Sequence, residues 1–115
     1  MSQKLIPIKA TDFEKEVLDH PGVVLVEFFA TWCGHCRMFA PILEAFAKEQ
    51  EGKVKVVIVD VDQALDIVKA AGVQSTPTII LFDKGKKKGS HSGAMEKGKL
   101  EAWIEESLAK EENKE

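Results

Sequence analysis

Residues 23–41 read "VVLVEFFATWCGHCRMFAP". "VVLVEFF" at 23–29 is aliphatic or aromatic at every position but Glu27, the pattern of a strand covered on both faces in a parallel sheet. From about 33 to 49, Met38, Ile42, Leu43, Phe46 and Ala47 recur at helical spacing, which predicts a helix with Pro41 inside it as a kink. The junction holds both cysteines of the chain, Cys33 and Cys36, with His35 between them. The strand decides the core, and the junction decides the chemistry.

Upstream, "LIPI" at 5–8 is a short apolar run whose Pro7 lacks an amide donor, so it suits an edge strand. Thr11 and Glu14 form a capping box that predicts a short helix with Phe13, Val17 and Leu18 as its apolar stripe, stopped by "HPG" at 20–22. Downstream, "VKVVIVDV" at 54–61 repeats the buried-strand pattern, and "ALDIVKAAG" at 64–72 reads as a helix stopped by Gly72. "TIILFD" at 78–83 is the next strand, "KGKKKG" at 84–89 a solvated hairpin turn, and "KGKLEAWIEESLAK" at 97–110 an amphipathic helix. Strands alternate with helices and a hairpin and a last helix follow, which implies an α/β fold with a central mixed sheet and helices on both faces. Residues 1–115 are expected to form a single domain, with 110–115 as a frayed tail.

At 115 residues one core is enough, and 44% hydrophobic against 30% charged residues is the balance of a soluble globular chain. The net charge of −3 is spread along the sequence, so neither nucleic acid nor an acidic membrane surface is an expected partner. No stretch reaches the roughly 18 apolar residues of a membrane span, and the N-terminus becomes charged too early for a signal peptide. The expected location is the cytoplasm, where two cysteines serve chemistry better than framework.

A disulfide between Cys33 and Cys36 closes so small a ring that it would stabilise the fold by only ~2 kcal/mol, against ~3 for a 15-residue loop. A zinc site needs four ligands, and beyond the cysteines the chain offers only His20, His35 and His91, without ligand-like spacing. Redox chemistry suits the pair better. At the start of a helix Cys33 meets unpaired amides and the positive end of the helix dipole, which favour a thiolate, and Cys36, one turn on, is placed to attack a mixed disulfide formed by Cys33.

With "VDVDQ", "STPTIILFDKG" and "SGAMEKGKLEAWI", the stretch "VVLVEFFATWCGHCRMFAPILEAFA" resembles the thioredoxin family, in register from about residue 5 to 109. The resemblance implies the thioredoxin fold and a protein-disulfide reductase in which Cys33 attacks and Cys36 resolves. It implies disulfide-containing proteins as substrates, a monomer, and no bound cofactor. Electrons would come from NADPH through a flavoprotein, thioredoxin reductase.

Glu27 is the one charged residue in the buried strand at 23–29, and burial raises a carboxyl pKa towards the range useful for taking the proton of Cys36. Thioredoxins commonly have Asp there, paired with a lysine at the position of Ile58, so Glu27 lacks that partner. His35 stands where thioredoxins generally have Pro and disulfide isomerases have His; an imidazole near Cys33 favours the thiolate and makes the pair more oxidising. An X-Pro bond is cis in only ~5% of cases, so sequence alone says trans for Pro77. The family has a cis proline there, packed against the disulfide, with the backbone before it, here Thr76, free to pair with substrate. Trp32, Gly34, Thr76 and Gly93 would line the apolar surface around Cys33, whereas Phe29 and Trp103 are expected to pack inward. Two other readings use the same residues: a more oxidising, isomerase-like disulfide donor, and a thioredoxin-fold module that binds a partner enzyme without catalysis.

Overall fold

A computed structural model of the chain describes residues 5–110, and the expected frayed tail beyond Lys110 lies outside them. Four strands form the sheet: β1 (Val23–Phe29), β2 (Val54–Asp60), β3 (Thr78–Asp83) and β4 (Lys86–Ser92), in the order β2-β1-β3-β4. β1 runs parallel to β2 and antiparallel to β3, and β3 antiparallel to β4. Three α-helices accompany them: α1 (Gly34–Glu49), α2 (Leu65–Ala71) and α3 (Lys97–Ala109).

Side-chain alternation splits the core in two. Val24, Val26 and Phe28 of β1 meet Val57, Val59, Ile80 and Phe82 in one cluster, covered by Phe13, Val17 and the α2 residues Ile67 and Val68. Leu25 joins Ile79 and Leu81 on the other face, beneath Phe39, Leu43 and Phe46 of α1 and Leu100 and Ile104 of α3. β1 has a strand on each edge and helical segments on each face, which is why it needs an almost unbroken apolar run. Trp103 is half-buried against the second cluster, its ring 6.2 Å from that of His91.

The structure corrects four expectations. The strand at 5–8 reduces to one parallel bridge, Pro7 to Ile58, with the Ile8 amide donating to the Ile58 carbonyl at 3.0 Å. Pro7 has no amide with which to extend the ladder, and it sits on the outer edge of β2. The Thr11–Glu14 capping box does not form: a 3₁₀ turn at Ala10–Asp12 runs into a π-helical turn at Glu14–Leu18, without a side-chain cap on either. Lys55 bonds both the carboxylate and the carbonyl of Glu16, taking an acceptor that a continuing α-helix would use internally. Met38 is exposed, and the buried stripe of α1 is Cys36, Phe39, Leu43 and Phe46. The lysines at 86–88 lie within β4; the hairpin turn is Lys84 and Gly85 alone, both with positive φ.

Gly85 is required twice, by its φ of +81° and because a Cβ there would lie 2.5 Å from the Leu18 carbonyl oxygen. Gly85→Ala is therefore expected to lower the unfolding free energy by roughly 2–4 kcal/mol in urea titration, from backbone strain plus overpacking. A loss under about 0.5 kcal/mol would show that the turn and the π-helical segment are not in firm contact.

Candidate active site

β1 and β2 end at the same edge of the molecule where β3 begins and β4 ends, since Phe28 pairs with Thr78 and Thr78 with Ser92. The loops after parallel strands and the start of β3 therefore converge, as they do at the carboxyl ends of strands in other α/β sheets. After β1, the Cys33 amide donates to the Ala30 carbonyl (3.2 Å) and Cys33 becomes the N-cap of α1. Its sulfur accepts the Cys36 amide at 3.2 Å, and both cysteines are buried thiols packed against Ala30, Phe29 and Val61.

The two thiols differ sharply. Burial pushes Cys33 up, but hydrogen bonds from the Cys36 thiol, the Thr76 side chain and the amides of Cys36 and His35 outweigh it, and the net shift is downward. Cys36 is pushed up to about 11, first by burial, then by its hydrogen bond to Cys33 and by the charge Cys33 carries when ionised.

Glu27 alternates with Val26 and Phe28 on β1 and so points beneath α1. It is 4% exposed, and its Oε2 has no hydrogen-bond partner. Burial first, and the Cys33 charge second, raise its carboxyl to about 7. Its register neighbour on β2 is Ile58. Glu27, Ile58, Cys36, Ala40 and Arg37 line one cleft of ≈ 290 Å³. The larger groove, ≈ 680 Å³, runs past Val23 and Val54 at the far end of the strands and touches none of the candidate residues.

The Thr76–Pro77 bond is cis, and the Pro77 carbonyl accepts the Gly93 amide at 2.8 Å, tying the start of β3 to the end of β4. The Cys33 thiol donates to the Thr76 carbonyl at 3.5 Å. Trp32 is 69% exposed, and Gly34 and His35 are exposed as well. The His35 imidazole makes no hydrogen bond among the described residues; its amide is what reaches Cys33. Nor do three or more His, Cys, Asp or Glu among the described residues gather as a metal site.

Sequence reasoning missed Asp62. Its Oδ2 accepts the Trp32 indole N–H at 2.9 Å, and its own amide is held by Asp60 Oδ1 at 2.9 Å. The signal available was position: "VDVDQ" ends the strand predicted to run parallel to 23–29, so its last residues must approach the cysteine loop.

A family model described as Thioredoxin matches residues 4–106. The chain belongs to the thioredoxin family. Thioredoxin from Rickettsia felis is 42% identical over 98 residues, covering 85% of this chain and 93% of that one. Thioredoxin from Pseudomonas aeruginosa is 35% identical over 108 residues, 94% of this chain and all of its own length. Thioredoxin 1 from a Nostoc species is 42% identical over 96 residues, 84% of this chain and 90% of that one. With this membership and the adjacent thiols, the protein is a thiol-disulfide oxidoreductase, a protein-disulfide reductase of the thioredoxin type. No helix among the described residues is long and apolar enough to cross a membrane.

Proposed function

We propose that Cys33 is the attacking thiolate, Cys36 the resolving cysteine, and Glu27 the base that frees Cys36. The observation that carries this reading is the divergence of two thiols one helical turn apart, one lowered and the other near 11. The Cys33 thiolate attacks one sulfur of a substrate disulfide; that bond breaks, and the second substrate sulfur leaves as a thiolate. Cys36 then gives its proton to the Glu27 carboxylate, directly or through water in the cleft, and attacks Cys33 Sγ. The first substrate sulfur departs, the substrate has gained two electrons, and the domain holds a Cys33–Cys36 disulfide. Unaided, a thiol near 11 is ionised at pH 7 in only about one molecule in 10⁴, so a base that ionises near 7 supports the step.

Once Cys33 ionises it no longer donates to Thr76, whose backbone is then free to pair with an extended substrate. Pro77 packs against the reacting sulfurs, and Trp32, Gly34 and Gly93 complete the docking surface; the exposure of Trp32 beside a nucleophile supports this. The chain acts as one monomeric domain in the cytoplasm and is recharged from NADPH by a flavoprotein thioredoxin reductase. The test is NADPH consumption in a reductase-coupled assay with a disulfide-bonded protein: sustained turnover is expected, and its absence would overturn the recharging route.

His35 adds an imidazole beside the Cys33 loop and favours the thiolate, making the pair more oxidising. His35→Pro is expected to lower the reduction potential by about 30 mV, tenfold in the equilibrium with glutathione. An unchanged or higher potential would remove His35 from the redox machinery.

A further inference from the structure

Arg37 is the only arginine in the chain. Its Nη1 donates to the Thr31 carbonyl at 3.2 Å, and its Nη2 lies 3.9 Å from where a Cβ on Gly34 would stand. The guanidinium is thus bracketed by the residues two before and one after Cys33, held by the loop that presents the sulfur. It is exposed, most of its five N–H donors remain unspent, and no carboxylate among the described residues pairs with it. On the side of Trp32 stand Asp62 and Asp60, both carboxylates. The loop that presents the nucleophile is thus touched by a cation from α1 at Thr31 and by the Asp62 carboxylate at Trp32.

We propose that Arg37 selects substrates by charge, favouring disulfides that carry an Asp or Glu side chain next to the reacting half-cystine on the side of Thr31 and Gly34. This deepens, and rests on, the reading of Cys33 as the attacking sulfur. A side chain beside the half-cystine that reaches the Thr31 and Gly34 part of the loop meets the guanidinium, and an acidic one is favoured there over a basic one. Charges at a binding rim act mainly on encounter and orientation, and exposed pairs give small factors. The planar fork of Arg suits a carboxylate, but a lysine ammonium retains the sign.

The test uses disulfide-linked peptides identical except for Glu or Lys beside the half-cystine, on its N-terminal side in one set and its C-terminal side in another. The readout is the ratio of kcat/KM for the Glu and Lys peptides, which cancels any change in Cys33 reactivity common to both. In one set the Glu peptide is expected to react about two- to fivefold faster at low salt, the ratio approaching one at 1 M salt, where the Debye length is only ~3 Å. Arg37→Glu should invert that ratio, and Arg37→Lys should keep its direction. If Arg37→Glu leaves the ratio of both sets as in the parent protein, the proposal is overturned. Reduction of every peptide at the parental rate by Cys33→Ser would instead overturn the reading of Cys33 on which it rests.

Discussion

Cys33→Ser is expected to bring protein-disulfide reduction down to the uncatalysed rate of exchange, a loss of at least about 10⁴-fold. A serine hydroxyl in the same hydrogen bonds cannot become an anion near neutral pH, and oxygen does not form the mixed disulfide through which exchange proceeds. Cys36→Ser should fail differently. Its Cys33 still attacks, but no second sulfur lies beneath to displace the substrate, so a one-to-one adduct accumulates and turnover stops. Non-reducing electrophoresis and intact-mass measurement distinguish the two variants. Steady turnover by Cys36→Ser without an adduct would mean that a substrate or solvent thiol resolves the intermediate, and Cys36 would lose its role.

Glu27→Gln separates proton transfer from folding because it moves them in opposite directions. In the parent protein, resolution should accelerate as pH rises through about 7, where Glu27 ionises. The amide cannot accept the proton, so resolution at pH 7–8 is expected to slow by about 100-fold and to track the ionisation of Cys36 itself towards 11. Stability moves the other way. The folded carboxyl stays protonated up to about 7, whereas in the unfolded chain it ionises near the ordinary glutamate value of 4.5. Between those values the folded state binds more protons, so ν_U − ν_N is negative and stability falls as pH rises, by about 3 kcal/mol in all. That contribution is complete below about pH 4.5 and gone above about 7. Glu27→Gln lacks the loss, so its stability relative to the parent should improve by about 3 kcal/mol between pH 4.5 and 8 in denaturant titrations. Taking the difference between the two proteins removes the other titrating groups. Parallel stability curves across that range would mean that Glu27 ionises as a solvated carboxyl, and its place as the base would be lost with its buried character.

Segments whose period and length matched one environment were legible in the chain. Thr78–Asp83 was read residue for residue, because a run of Ile, Ile, Leu and Phe between a proline and a lysine turn admits little else. The periodicity places the start of α1 at the cysteines but turns Met38 inward, whereas Cys36 and Phe39 occupy the buried stripe. The N-terminal segment was read poorly. Its capping residues predict an ordinary helix, but Lys55 takes the Glu16 carbonyl and the hairpin turn at Gly85 packs closely against the Leu18 carbonyl, and no local pattern announces a contact with residues that distant.

The site divides along the same line. The cysteine spacing, with Trp32 before it, Pro41 after it and Thr76–Pro77 opening a later strand, singles out Cys33 and Cys36, since a nucleophile and its resolver one turn apart at a helix start are a local arrangement that a few residues can specify. The composition of β1 likewise singled out Glu27 as the charge among apolar neighbours. Tertiary packing alone decided what those groups are worth chemically: that Glu27 ionises near 7, that Cys36 is held near 11 while Cys33 falls, and that Asp62 holds Trp32 at the surface. The reason is physical. A motif depends on neighbours along the chain, whereas desolvation and the charges that shift a proton are set by what four strands and a helix end bring together in space.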